Sequence, residues 1–112
     1  MMAWLMGLKT IAPRDLLPLV QSGRVTTFDV NSHQRWTQTH VPGALHIDPA
    51  FDARALPTDK SAPLVFYCGN PLCRKAPNAA RRAKQLGYAD VRVMSAGIAG
   101  WLDAGLPTET GR

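Results

Sequence analysis

The chain has two cysteines, Cys68 and Cys73, and both lie in the stretch FYCGNPLCRKAPNAA, residues 66–80. An apolar run ends on Cys68. Gly69, Asn70 and Pro71 then form a turn, each by its own backbone chemistry. Cys73, Arg74 and Lys75 follow, and Pro77 suits the first turn of a helix. A loop that runs into a helix N-terminus turns backbone N–H groups inward, and the helix macrodipole adds positive potential there. Such a pocket suits an anion. It also lowers the pKa of a thiol held inside it, which yields a thiolate nucleophile at neutral pH. Arg74 and Lys75 add positive charge at the rim. A cysteine at the end of a buried strand is often only a small core residue, but the turn, the adjacent bases and the helix start together point to a reactive Cys68.

The elements that must position this loop alternate along the chain. The run LKTIAP (8–13) reads as a short first strand. PRDLLPLVQSG (13–23) reads as a helix, with Pro13 at its first position, Asp15 in its first turn and Gly23 at its exit; Pro18 inside it is expected to shorten or kink it. VTTFDV (25–30) is a β-branched strand. SHQRWTQTH (32–40) is a short helix capped by Ser32, and a turn at Pro42-Gly43 leads into a strand near 44–47. PLVFYC (63–68) is the continuous apolar run of a buried parallel strand. APNAARRAKQLG (76–87) places Ala76, Ala79, Ala80, Ala83 and Leu86 on one helical face, with Gly87 as its stop. DVRVM (90–94) is a fifth strand, and IAGWLDAG (98–105) a last helix that stops at Gly105. This alternation predicts an α/β fold, a central and mainly parallel five-stranded sheet flanked by helices. Ligands bind such sheets beyond the carboxyl ends of the strands, where Cys68 falls. Tyr67 is expected to point away from the pocket, since strand neighbours alternate faces. Asp29 is expected near the same face as Cys68, as a hydrogen-bonded structural carboxylate rather than a catalytic one. Trp36 and Trp101 are expected to pack on the core or at a helix end.

Composition bounds the rest. The chain has 112 residues, 46% of them hydrophobic, which suffices for one domain spanning 1–112 with its core over about 8–109 and argues against disorder. The formal charge is +5, which favours anionic partners. Two cysteines are too few for a disulfide scaffold. The start, MMAWLMGL, has no basic region before it and no cleavage site after it, and it is too short to span a bilayer. Trp4, Leu5 and Leu8 are expected to pack on the core, and a cytoplasmic setting with reduced thiols follows by default. No membrane partner is expected. Nucleic-acid binding rests on charge alone: Arg81, Arg82 and Lys84 read as a solvated helix face without interleaved aromatics.

Several segments together resemble the rhodanese family: FDV (28–30), HVPGALHI (40–47), LVFYC (64–68), AARRAKQLGYADVRVMSAGIAGW (79–101) and AGLPTE (104–109). Their order and spacing match over roughly residues 8–109. The resemblance implies a rhodanese-like three-layer fold and sulfur transfer without a cofactor. A loop cysteine would take sulfane sulfur from thiosulfate or a persulfide donor, hold it as a persulfide, and pass it to a thiophilic acceptor such as a thiol or cyanide; a protein persulfide is a further partner of this kind. By that match Cys68 is the nucleophile, while Gly69, Asn70, Leu72, Cys73, Arg74 and Lys75 supply amides and charge to the substrate. The chain departs from the family at Asn31, where Arg is common, at Arg35, where Glu often precedes Trp36, and at Ala96. It resembles the subgroup with a second loop cysteine five positions on, which makes Cys73 a candidate resolving or redox residue.

Other chemistries fit parts of the same stretch. Cys68 and Arg74 have the C-x5-R spacing of the phosphate loop of cysteine phosphatases and related arsenate reductases, where a forked Arg binds two oxyanion oxygens. Pro71 removes one N–H that a phosphate would need, and no His precedes Cys68. Cys68 and Cys73 with His40 and His46 form a weak zinc pattern at the edge of structural spacings; His40 belongs to a turn, His46 to a strand and His33 to the surface, so no metal is expected. A non-catalytic redox or interaction module is the remaining alternative.

Overall fold

In the computed structural model, which describes residues 8–111, ten short elements alternate. They are β1 (Lys9–Thr10), α1 (Pro13–Gln21), β2 (Thr26–Asp29), α2 (His33–Gln38), β3 (Leu45–His46), a 3-10 turn (Ala53–Ala55), β4 (Leu64–Tyr67), α3 (Lys75–Gln85), β5 (Val91–Val93) and α4 (Gly97–Asp103). The strands form one sheet in the order β1-β5-β4-β2-β3, and every pairing is parallel. The α/β expectation therefore holds, with β4 at the centre. Trp4 and Leu5 lie outside the described residues; Leu8 packs half-buried against the core.

All four residues of β4 are buried, as its unbroken apolar run requires. Leu64 and Phe66 face α3 together with Phe28, while Val65 and Tyr67 face Leu16 of α1 and Trp101 of α4. The small side chains Ala76, Ala79, Ala80 and Ala83 let α3 lie close on the sheet, where Phe28 and Phe66 stack with ring centroids 5.1 Å apart. The sheet thus sits between α3 on one side and α1 with α4 on the other. Trp101 is fully buried, and its indole N–H donates to the Pro107 carbonyl. Trp36 is half-buried and donates to the Ala44 carbonyl, which holds α2 against the approach to β3. No helix among the described residues is long and apolar enough to cross a membrane.

One local expectation changes, and one element goes unread in the sequence. Pro18 does not shorten α1, which runs through it to Gln21. Pro18 has no N–H to give, but its carbonyl still accepts from Ser22. The 3-10 turn at Ala53–Ala55, capped by the Asp52 carboxylate, carries no apolar periodicity that would reveal it in the sequence.

Asp29 requires a larger correction. It pairs in register with Tyr67, so its side chain shares the face of Tyr67 and lies opposite that of Cys68. Its carboxylate accepts from the Asn31 amide at 2.8 Å and from the Tyr67 hydroxyl at 2.8 Å. The hydroxyl in turn accepts from the Val41 amide at 3.0 Å. This buried chain ties β2, β4 and the turn before β3 together. Burial raises the Asp29 carboxyl above its ordinary 3.8, against the hydrogen bonds from Asn31 and Tyr67 that lower it. Burial and the neighbouring Asp29 push the Tyr67 phenol far above its usual value, so it stays protonated as a donor.

Tyr67→Phe leaves the Val41 N–H and one Asp29 oxygen short of partners, and it is expected to lower stability in urea unfolding by about 1–3 kcal/mol. Because the folded state holds the Asp29 proton more tightly than the unfolded chain, stability is expected to fall as pH rises from about 3.8 through the raised folded-state pKa. Asp29→Asn should flatten that limb; parallel pH profiles for the two proteins would contradict the assignment.

Candidate functional site

Cys68 is the first residue after β4, at the carboxyl end of the central strand. Parallel pairing places the ends of β2 and β5 at the same edge. The loop after Cys68 is drawn tight by Asn70. Its side-chain oxygen accepts from the Leu72 amide at 2.9 Å, and its carbonyl accepts from the Cys73 amide at 3.1 Å. The curl brings the Cα atoms of Cys68 and Cys73 to 6.4 Å, and their sulfurs are joined as a disulfide.

The loop is fixed from behind by α4. The Ile98 amide donates to the Cys68 carbonyl at 2.9 Å, and the Ala99 amide donates to the Gly69 carbonyl at 3.0 Å. Gly97 lies directly against the loop backbone with φ of 69°. A Cβ there would come within 2.6 Å of the Asn70 nitrogen and 2.8 Å of the Cys68 carbonyl oxygen. Only glycine meets both the contact and the dihedral.

Two spaces flank the loop. Beneath it, a cavity of about 10 Å³ is lined by Cys68, Asn70, Pro71, Cys73, Ala76, Pro77, Val93, Met94 and Ser95. It is mostly apolar, has room for about one water-sized group, and is bordered on one side by Ala76 and Pro77 in the first turn of α3. Beside the loop, a polar cleft of about 240 Å³ is lined by Asn31, Ser32, Arg35, Gly69, Asn70, Cys73 and Lys75. Arg35 follows Ser32, whose hydroxyl caps α2 by accepting the Arg35 amide at 3.2 Å. A Cβ on Gly69 would stand 3.6 Å from Arg35 Nη1 and 3.4 Å from Asn31 Oδ1.

The residues named from sequence therefore divide. Cys68 and Cys73 are joined, Gly69, Asn70, Cys73 and Lys75 line the cleft, and Cys68 lines the inner cavity. Leu72 is 89% exposed at the loop tip and lines neither space. Arg74 is the exposed residue preceding α3 and also lines neither. The amides of Leu72 and Cys73 are taken by Asn70, and Pro71 has none, so the loop offers a substrate fewer N–H groups than its sequence suggests.

Reading the loop alone misses Asn31, Ser32, Arg35 and Gly97. The signal is present in the sequence: β2 and β4 are parallel runs, so the segments after them must share one edge. The His/Trp group lies elsewhere. The His40 ring stacks on Trp36 at 4.5 Å, and its Nδ1–H donates to the Trp36 carbonyl. The His46 Nε2–H donates to the Asn31 carbonyl at 2.8 Å. Among the described residues, no group of three or more His, Cys, Asp or Glu could hold a metal ion. Arg82 is likewise engaged, donating to the Phe51 carbonyl and lying over its ring.

The chain is similar to several known proteins. A thiosulfate sulfurtransferase, GlpE, of Haemophilus influenzae is 27% identical over 106 residues, covering 94% of this chain and 98% of that protein. An HTH-type transcriptional regulator of Mycobacterium tuberculosis is 34% identical over 102 residues; the match covers 90% of this chain but only 45% of the regulator. The solved structure of a thiosulfate sulfurtransferase from Pseudomonas aeruginosa superimposes with a TM-score of 0.82 at 28% identity, over 93% of this chain and 20% of that one. The family model for the rhodanese-like domain matches residues 12–104, and with the loop built at the end of the central parallel strand, the chain belongs to the rhodanese-like domain family.

Proposed function

We propose that the protein is a sulfurtransferase that moves sulfane sulfur from thiosulfate or a persulfide donor to a thiophilic acceptor through a persulfide on Cys68. The observation that carries this reading is the seat of Cys68: 3% exposed, at the end of the central strand, bordering a small cavity lined by the first turn of an eleven-residue helix. The positive end of that helix favours the thiolate and then the anionic persulfide. The kinship to proteins named thiosulfate sulfurtransferase supports the same reaction class.

The working form is the dithiol, with the Cys68–Cys73 bond open. The Cys68 thiolate attacks the outer sulfur of thiosulfate. The donor S–S bond breaks, and sulfite leaves with the electron pair. The persulfide so formed keeps its outer sulfur at the small cavity, away from bulk water. An acceptor thiolate or cyanide then attacks that outer sulfur and regenerates the Cys68 thiolate. Arg35 and Lys75, at the cleft, provide the positive potential that draws anionic substrates toward the loop. A cytoplasmic setting, where thiols are kept reduced, would maintain this form. The C-x5-R phosphatase reading gains no support, because Arg74 borders neither space beside the loop.

Reduced protein is expected to form thiocyanate from thiosulfate and cyanide and to be slow with aryl phosphates. Cys68→Ser should fall to background, while Cys73→Ser should retain most of the activity. Phosphatase turnover without thiocyanate would sink the proposal, and so would an inactive Cys73→Ser beside an active Cys68→Ser. Gly97→Ala touches no substrate, yet its methyl would displace the loop. It is expected to lose more than about 1 kcal/mol of stability and to lower kcat with it.

A further inference from the structure

The two bonded sulfurs stand in different surroundings. Cys68 is almost fully enclosed and, with Cys73, borders a mostly apolar cavity of about 10 Å³. Cys73 is half-buried and also lines the open cleft of about 240 Å³, which Cys68 does not. That cleft carries two cationic side chains, Arg35 and Lys75. Its other polar side chains, Asn31, Ser32 and Asn70, are neutral, and no carboxylate lines it. Arg35 Nη1 lies 3.6 Å from where a Cβ on Gly69 would stand, which places it beside the loop. Positive charge without a countercharge, beside an accessible half of a disulfide, defines a ligand: small, anionic and bearing a thiol.

We propose that this cleft binds a small thiol carrying carboxylates, and that the bound thiolate opens the Cys68–Cys73 disulfide by attack on Cys73 Sγ. The thiolate forms a bond to Cys73, the Cys68–Cys73 bond breaks, and Cys68 leaves with the electron pair as a thiolate. Attack falls on Cys73 because exchange requires access: Cys73 borders the open cleft, whereas Cys68 is 3% exposed and does not line it. A second equivalent of thiol then attacks the sulfur of the bound small thiol. This releases the symmetrical small-molecule disulfide and returns Cys73 as a thiolate. The balance is two thiols and one protein disulfide in, one small disulfide and the protein dithiol out. Arg35 and Lys75 hold the carboxylates, and the departing residue is the one that sulfur transfer requires. The exchange rests on the proposed function in that it supplies the working form, but the exchange itself needs no sulfane sulfur.

The test uses the full oxidised chain with glutathione as the carboxylate-bearing probe and 2-mercaptoethanol as the neutral one. The reaction is quenched early with an alkylating agent, and both adducts are located by tandem mass spectrometry. The expected product carries glutathione on Cys73 and the alkyl group on Cys68; the reverse distribution would overturn the proposal. The rate ratio of glutathione to 2-mercaptoethanol is then compared between the native protein and the Arg35→Ala, Lys75→Ala double variant. It should drop by about three- to tenfold, as expected for partly exposed charge pairs and charged hydrogen bonds. An unchanged ratio would show that the cleft does not select the anion, and would overturn the binding site. Failure of the reduced protein to take sulfur from thiosulfate would remove the sulfurtransferase reading while leaving this exchange standing.

Discussion

The close approach of Gly97 to the backbone of residues 68–70 is the contact on which the site depends. It is a steric constraint before it is an energetic one: the distances at Gly97 leave no room for a side chain, and its φ of 69° belongs to glycine. The consequence is that the first amides of α4 reach the Cys68 and Gly69 carbonyls. The loop is therefore held by two carbonyls on one side and by the Asn70 turn on the other, which leaves its sulfurs little freedom. Trp101 anchors α4 in the core one turn further on.

The remainder of the site follows from topology. Because β2, β4 and β5 are parallel, three post-strand segments meet at one edge of the sheet. The β4 segment brings the cysteines, the β2 segment brings Asn31, Ser32 and Arg35, and the β5 segment brings Met94, Ser95 and Gly97. The buried Asp29–Tyr67–Val41 chain locks β2 against β4 on the opposite face of the sheet. It lines neither space beside the loop, but it fixes the register that sets Arg35 across from Gly69. The same arrangement gives the cysteines unequal surroundings: both border the small cavity, and of the two Cys73 alone also borders the cleft.

Much of this is legible in the sequence. The apolar run at 63–68, the alanine stripe of α3 and the glycine stops at Gly23, Gly87 and Gly105 are local signals, and each marks its element within a residue or two. The segments HVPGALHI and AGLPTE, far apart in the chain, meet through reciprocal hydrogen bonds between His40 and Glu109. That meeting explains why both recur in one pattern, although neither segment reveals it alone. The parts that are not legible are tertiary. Asp29 falls on the face opposite to the expected one because alternation fixes sides only once the register with β4 is known. Arg35 reads in sequence only as a departure at the position before Trp36, whereas its place beside the site depends on a loop more than thirty residues later. Leu72 and Arg74 are drawn toward the site by proximity in sequence, and the tight Asn70 turn leaves both outside the two spaces.

In the proposed reaction the enclosed sulfur of Cys68, rather than the accessible sulfur of Cys73, receives the transferred atom. The most direct measurement is the position of one added sulfur atom in reduced protein after a single addition of thiosulfate, located by tandem mass spectrometry of the peptide spanning both cysteines. The added mass is expected on Cys68, with Cys73 recovered as a free thiol. A persulfide found on Cys73, with Cys68 unmodified, would contradict the proposal.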